Sequence, residues 1–438
     1  MRAPMNFKNF YSIFFILVSG LSHTAYCYDL NLLGFLSDIH SISRHTTSFI
    51  DCLPDDIEIK LFQTKQCSPR DLKPAHKKVL HESINIEDKN HVSNLVKKGL
   101  VLSGITIYTD SQWYDNSWKN YKLIPNKSIL KYAYCVTERS EIQRSLVSKL
   151  NSNFDAVIVV DEWFVDVCKK SGVTIPVFAL PLALDLNSLL SKPIKEKPEK
   201  NFVFGFSGLF WPRKNHELLM RAFHMEFKNN PHVKLIMQGR FEQKFKLIKK
   251  DSQRLSNKNI TLIQKGLNRQ EYEDFLTSLH CYTILSKGEG FSITPREALA
   301  AGIPCVISNN TAHKIICKSG LVYAVPSNIK EPSFCYTDNC YLGHEFNCTI
   351  KDVRKALRAV YKKYEHYQQK ALLGREWVKQ YLAENLAPKY LNLIKPKRVV
   401  FGPKNKITDE YLMTNSKALF DKYRTLCKSM DTKFEVFK

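Results

Sequence analysis

The stretch 286-SKGEGFSITPREALAAG-302 decides how this chain is read. It follows a short apolar run, Cys281–Leu285, opens on Gly288-Glu289-Gly290 and continues into a helix expected from Pro295. Buried strand, Gly-rich loop and helix in succession are the repeating unit of a parallel α/β sheet, whose ligand crevice lies outside the carboxyl ends of the strands. The small residues let the backbone N–H groups of Gly290, Phe291 and Ser292 come close to a ligand. The start of the following helix favours a phosphate or pyrophosphate. Glu289 and Glu297 stand at either end of the segment, and carboxylates there can accept hydrogen bonds from sugar hydroxyls. The same residues also spell a capping box, with Thr294 at the cap, Pro295 at the first helical position and Glu297 three residues after the cap. Ligand binding and capping both remain open for Glu297.

Working outward, the pattern around this stretch is a regular alternation. Strands are expected at Phe202–Ser207, Val233–Gln238, Ile260–Ile263, Cys281–Leu285 and Pro304–Ile307, with helices at Glu217–Phe227, Lys244–Leu255, Arg269–Ser278 and Pro295–Ala301. That is a doubly wound α/β unit. An earlier series alternates similarly, with strands at Asn31–Leu36, Ile57–Phe62, Val101–Tyr108, Leu130–Val136, Ala156–Val160 and Val177–Leu180. Between the two lies a Lys- and Pro-rich segment read as an exposed linker. Helix Asp352–Tyr364 and one long amphipathic helix, Gln368–Leu393, close the ordered part. The expected division is 1–27 leader, 28–186 first α/β domain, 187–200 linker, 201–367 second α/β domain, 368–395 terminal helix crossing back, and 396–438 basic tail.

Composition bounds the function classes. The chain has 438 residues, 44% of them hydrophobic and 24% charged, which suits two globular domains rather than a disordered or fibrous chain. A formal charge of +23 favours anionic partners. Nucleic acid is set aside because no zinc-finger spacing, basic zipper or aromatic RNA-binding signature accompanies that charge. Arg2 and Lys8 precede the apolar run Phe10–Leu21, and Ala25 and Cys27 have the spacing of a cleavage site. This segment reads as a signal peptide or an uncleaved anchor, predicting a secretory-pathway or membrane-associated location, and a cytoplasmic one if it is not processed. Cys335, Cys340, His344 and Cys348 lie close together and admit a local disulfide, free thiols or a zinc site.

The segment Ser286–Gly302 resembles the E-x7-E signature of retaining GT-B glycosyltransferases, the large family-4-like group known as glycosyl transferases group 1. Phe204–Phe223 (FGFSGLFWPRKNHELLMRAF) is similar to that family's strand, phosphate loop and helix, and Thr137-Glu138 with Phe154–Asp185 is similar to the end of its first domain. The resemblance implies two Rossmann-like domains facing each other across a cleft, a nucleotide diphosphate sugar as donor and co-substrate, and transfer of a hexose to a glycan or lipid-linked acceptor. It implies donor-sugar contacts by Glu289, with Gly288, Gly290, Phe291 and Ser292 supplying backbone groups. Glu297 would hold the ribose, and Lys214, beside the strand end at Gly208, would neutralise the diphosphate. The sequence departs from the family at Leu209, where an Arg is common, and Arg213 is the candidate substitute cation. Many members also carry a first-domain His; His40, His45, Glu138 and Asp161 are the candidates here, with Glu138 and His40 assigned to the acceptor side. No Asp-x-Asp occurs, so no cofactor and no metal are expected. The charged surface would also suit peripheral contact with a membrane. The alternatives are a non-catalytic sugar-nucleotide or glycan-binding protein, and a GT-B epimerase or phosphorylase.

Overall fold

Apolar runs without polar alternation fold here as strands covered on both faces, as parallel sheets flanked by helices require. The computed structural model describes residues 29–37, 41–65, 72–86, 88, 90–91, 94–95, 104–109, 130–198, 200–240, 259–334 and 340–394, and the backbone of 399–400 and 436–437. The leader 1–27, the expected helix Lys244–Leu255, His40, Cys335 and nearly all of the basic tail lie outside the described residues.

In the first half, β1 (Leu30–Gly34), β2 (Ile59–Gln63), β3 (Ile84–Asn85), β4 (Ile105–Tyr108), β5 (Leu130–Cys135), β6 (Ala156–Val159) and β7 (Val177–Ala179) form one seven-stranded sheet in the order β3-β2-β1-β4-β5-β6-β7. The second half builds a six-stranded sheet from β8 (Phe202–Ser207), β9 (Val233–Gln238), β10 (Ile260–Ile263), β11 (Cys281–Ile284), β12 (Cys305–Ser308) and β13 (Tyr323–Val325), in the order β10-β9-β8-β11-β12-β13. All neighbouring strands in both sheets are parallel. Both orders reverse beside the first strand of the half, and the crevice at such a switch point is where open α/β sheets take ligands. The expected α/β architecture with two Rossmann-like halves is therefore what forms.

The segments joining the halves differ from expectation. The stretch 187–200 is not simply an exposed tether: Asn187–Leu190 is a short helix with Leu189 fully buried. Lys192 Nζ lies 3.4 Å from Glu273, and Lys195 Nζ donates to the carbonyls of Thr277 and Ser278. Lys192 and Lys195 thus fasten a stretch that is otherwise mostly exposed. The single helix expected over Gln368–Leu393 is two helices, Tyr364–Val378 and Ala383–Ile394, separated by the tight turn Lys379–Tyr381. The second of them packs on helix Arg44–Cys52 of the first half, where the Tyr390 and Phe49 rings meet edge to face at 4.8 Å. Tyr390 Oη donates to the Pro181 carbonyl at 2.9 Å, and Leu184 N donates to the Tyr381 carbonyl at 2.8 Å.

A two-stranded antiparallel hairpin, β14 (Ile329–Phe334) and β15 (Tyr341–Asn347), was not foreseen. It carries little alternating apolar signal, and its stability comes from contacts with both halves. Arg139 Nε donates to Ser333 Oγ at 2.6 Å, and His344 N donates to Ser140 Oγ at 2.8 Å. On the opposite side Lys287 Nζ bonds Glu331 at 2.5 Å and lies 3.3 Å from Glu345.

The membrane-associated or secretory location expected from the N-terminal hydrophobic segment is corrected. Among the described residues no helix is long and apolar enough to cross a membrane; the longest, Tyr364–Val378, has 15 residues where a span needs roughly 20.

Tyr390 offers a direct check on how the last helix joins the halves. Tyr390→Ala is expected to destabilise the protein by about 3–5 kcal/mol, the range for losing a large buried ring. Tyr390→Phe should cost only about 0.5–1.5 kcal/mol for one hydrogen bond. Urea unfolding of the two variants beside the wild type measures both, and equal losses would contradict ring packing as the main contribution.

Candidate active site

The carboxyl ends of β8 and β11 lie side by side, and the loops that leave them meet around Glu289. Glu289 is 5% exposed. Its Oε1 lies 2.6 Å from Lys214 Nζ and 3.2 Å from Arg213 Nη1. Both cations come from the short turn Pro212–Lys214 after β8, and Asn215 ends that turn in the left-handed conformation at φ 55°. Asn215 Nδ2 then donates to the Leu285 carbonyl at 3.2 Å and to Asn347 Oδ1 at 2.8 Å, tying the turn to the end of β11 and to the hairpin. Burial opposes the charge on Glu289, but the Lys214 and Arg213 cations outweigh it and hold the carboxyl well below the usual carboxylate range.

The Glu289 backbone is held as firmly as its side chain. Thr311 Oγ1 accepts from Glu289 N at 2.7 Å, and Ala312 N donates to the Glu289 carbonyl at 3.3 Å. Among the described residues, Asn215, Ser292 and Thr311 are the non-glycine residues at positive φ. All three brace this one loop. Such conformations are costly and persist where surrounding contacts over-determine them, which is typical of functional sites.

Gly288 and Gly290 have a second reason to lack side chains. A Cβ on Gly288 would stand 2.0 Å from the Glu138 carbonyl oxygen, and one on Gly290 would stand 2.2 Å from Val136 Cγ2. The first half's loop after β5 thus lies directly over the Gly-rich loop. Arg213 Nη2 bonds Glu138 Oε1 at 2.6 Å, and Arg213 Nη1 donates to the Gly288 carbonyl. Arg213, Lys214, Gly288, Glu289, Gly290 and Glu138 are therefore gathered in one cluster spanning both halves. Gly208 lies beside it, with Lys214 Cε 4.0 Å from where its Cβ would be. Leu209, by contrast, points to solvent at 36% exposure.

The helix expected to start at Pro295 begins two residues earlier, at Ile293, and no capping box forms. Its cap position is Ser292 at φ 62°, without a side-chain cap. Thr294 Oγ1 instead lies 2.7 Å from the Tyr282 hydroxyl. Glu297 is released from capping: Tyr272 Oη donates to its Oε2 at 2.7 Å, and Arg269 Nη1 lies 3.5 Å from Oε1. A carboxylate with about four acceptor sites retains capacity for further donors beyond these two.

Sequence reasoning passed over Arg296, which is fully buried. Its guanidinium lies 4.0 Å from the Phe291 ring centre and 4.6 Å from that of Tyr381, two rings that meet edge to face, and each contact favours the cation. It donates to the Phe291 and Ser292 carbonyls and to Tyr381 Oη, and Nη2 lies 3.8 Å from Asp161 Oδ2 in the first half. An Arg placed inside an apolar helix was the available signal. Burial pushes Asp161 up to about 6, more than Arg296 and the Trp163 N–H hold it down. His313, also missed, bonds Ser292 Oγ through Nε2 at 2.7 Å and Ser308 Oγ through Nδ1 at 3.1 Å. Burial pushes it down to about 4, so it is neutral at pH 7.

The first-half candidates separate. Glu138 reaches the cluster. His45 sits beside the carboxyl end of β4, with Nδ1 3.1 Å from the Thr109 carbonyl and its ring 4.6 Å from that of Tyr134; burial pushes it down to about 4. Asp161 caps helix Glu162–Ser171 and faces Arg296. His40 lies outside the described residues. In the cysteine group, Cys348 is a buried thiol that burial pushes up to about 11, and Cys340 takes a hydrogen bond from Gln143 Nε2. Among the described residues no cluster of three His, Cys, Asp or Glu side chains could hold a metal ion.

The burial of Asp161, which outweighs its contact with Arg296, predicts a pH dependence. Because the folded state binds the Asp161 proton more tightly than the unfolded chain does, Asp161 favours folding least above its folded pKa of about 6. Wild-type stability relative to Asp161→Asn should therefore fall as pH rises from about 4 to 7, by up to about 3 kcal/mol. Asn caps a helix as well as Asp does, so the substitution isolates the charge. Urea titrations across that range measure the difference, and a flat or rising curve would contradict the assignment.

Residues 189–331 match the model of the family described as Glycosyl transferases group 1. No curated protein sequence matches the chain. Among solved structures, sucrose-phosphate synthase from Thermosynechococcus elongatus is similar at a TM-score of 0.64 and 13% identity, covering 84% of this chain and 98% of that one. Anabaena HepE, solved with UDP and glucose, is similar at 0.61 and 12%, covering 84% and 99%. The E. coli trehalose-6-phosphate protein bound with UDP-2-fluoro glucose gives 0.59 and 8%, covering 84% and 99%. The chain has the GT-B fold, and over residues 189–331 it is similar to the glycosyl transferases of group 1.

Proposed function

We propose that this chain is a glycosyltransferase that moves a hexose from a nucleotide diphosphate sugar to an acceptor hydroxyl of a glycan, with retention at the anomeric carbon. The observation that carries this reading is the buried Glu289–Lys214 pair, 2.6 Å apart, at the carboxyl ends of β8 and β11. Similar folds that bind UDP and UDP-glucose support a nucleotide-sugar donor.

In this reading the nucleotide lies against the second half. Glu297, already oriented by Tyr272 and Arg269, accepts from the ribose hydroxyls. Glu289 stays ionised at neutral pH, which suits it to accept hydrogen bonds from the sugar and not to shuttle protons. Lys214 turns from Glu289 towards the diphosphate. The bond from the anomeric carbon to the phosphate oxygen breaks, and its electron pair leaves with the diphosphate. The acceptor oxygen bonds the same face of the sugar, and its proton passes to the departing phosphate oxygen. Lys214 and the start of helix Ile293–Ala300 neutralise the leaving group by fixed charge and dipole, without a metal.

The test is a panel of nucleotide diphosphate sugars, scored for thermal stabilisation and diphosphate release. One donor should stabilise the wild type and be turned over. Lys214→Ala should lower turnover by about 10²–10³-fold, the scale for losing a preorganised electrostatic group. Glu297→Ala should abolish stabilisation by the donor. Stabilisation without release would favour a non-catalytic sugar-nucleotide-binding protein, a reading that the exposed Leu209 at the family's arginine position supports. No stabilisation by any donor in a folded protein would reject both.

A further inference from the structure

We propose that Glu138, contributed by the first half, is a positioning residue for Glu289 and acts on it through Arg213. The inference rests on the role given to Glu289 above. The contacts form a chain: Glu138 Oε1 to Arg213 Nη2 at 2.6 Å, then Arg213 Nη1 to Glu289 Oε1 at 3.2 Å. The Arg213 side chain is 6% exposed and Glu138 is one-third exposed, so the carboxylate nearer solvent holds the outer edge of a buried guanidinium. A guanidinium is a rigid planar fork, and fixing one edge fixes the direction of the other. Arg213 also donates to the Gly288 carbonyl, so the same plane orients both the backbone and the side chain of the Gly288-Glu289 step.

Two cations meet Glu289 in this arrangement, and they are not equivalent. Lys214 is the one the reaction calls away, because a bound diphosphate competes for its ammonium. Arg213 is held by Glu138 and the Gly288 carbonyl, so it remains. With donor in place, Arg213 is the cation left to fix Glu289, and its aim depends on Glu138. The first half thereby controls the donor carboxylate without touching it. Gly288 makes this approach sterically feasible, since the Glu138 carbonyl occupies the space a Cβ would need. Loss of Glu138 should therefore appear in kcat rather than in donor KM.

The experiment uses the full chain and the donor identified by the panel. Glu138→Gln is expected to lower kcat by about 10²-fold, as a small misplacement of a reacting group does, with donor KM nearly unchanged. Glu138→Asp should recover part of the loss. In an Arg213→Gln background, Glu138→Gln should add little, because coupled residues are non-additive. A rise in acceptor KM at unchanged kcat, or additive losses in the double variant, would overturn the inference and give Glu138 a direct role. Amide hydrogen exchange across residues 287–292 provides a readout that needs no turnover. Glu138→Gln should speed exchange of the Glu289 amide and leave β12 amides unchanged. If that exchange is unaltered, the inference fails whatever reaction the protein catalyses; if it is altered and no donor is turned over, only the glycosyltransferase reading fails.

Discussion

Burying the charge of Glu289 is the constraint around which the cleft is organised. A carboxylate removed from water is tolerated only when cations and N–H groups meet it at hydrogen-bond distance, and removing one partner of such a pair costs about 3–5 kcal/mol. The turn after β8 brings Arg213 and Lys214 to it. That turn closes only if Asn215 adopts positive φ, and the opposing loop supports the Glu289 backbone only if Thr311 does too. The second cation then needs its own counter-charge, which Glu138 supplies from across the cleft. Sequence positions far apart are thus committed to one another by a single ionised group.

A second buried charge sets the other boundary. Arg296 lies on the helix that follows the Gly-rich loop and holds that loop through the Phe291 and Ser292 carbonyls, while also reaching Asp161 of the first half and Tyr381 of the C-terminal turn. Tyr381 meets it from the tight turn Lys379–Tyr381, so the break in the terminal helix and the burial of Arg296 occur together. The hairpin adds a third connection, clamped to Arg139 and Ser140 on one side and to Lys287 on the other. These charged and polar groups join the halves around the cleft, while one apolar cluster runs from the first sheet through the second and into the terminal helices.

Much of this was legible in the sequence because parallel strands buried on both faces leave uninterrupted apolar runs. The strand over Phe202–Ser207 and the helix over Arg269–Ser278 coincide with their expected limits; Gly288 and Glu289 stood out by residue type and spacing, and Lys214 through the resemblance of its loop. What was not legible depends on tertiary partners. The Thr294–Glu297 capping box is a strong local signal, but Tyr282 takes the threonine and Tyr272 and Arg269 take the glutamate. β3 has two residues, and the apolar residues of β14–β15 do not alternate regularly, so neither offers a period to detect. Arg296, His313 and Thr311 act through neighbours that only the fold supplies. The Lys-rich segment is exposed along most of 191–200, but its composition did not show that Lys192 and Lys195 have fixed partners.

The return of helix Ala383–Ile394 to the first half also bears on biosynthesis. The helix covers Phe49 and abuts Tyr134, yet it is made long after the strands of that half have left the ribosome. At about 5–20 residues per second, the intervening second half takes on the order of 10–40 s to synthesise. During that interval the nascent first half presents an uncovered apolar face, and a newly made chain is open to chaperone capture or to pairing with another copy. The last described helix thus completes the first domain begun, long after the strands it covers were made.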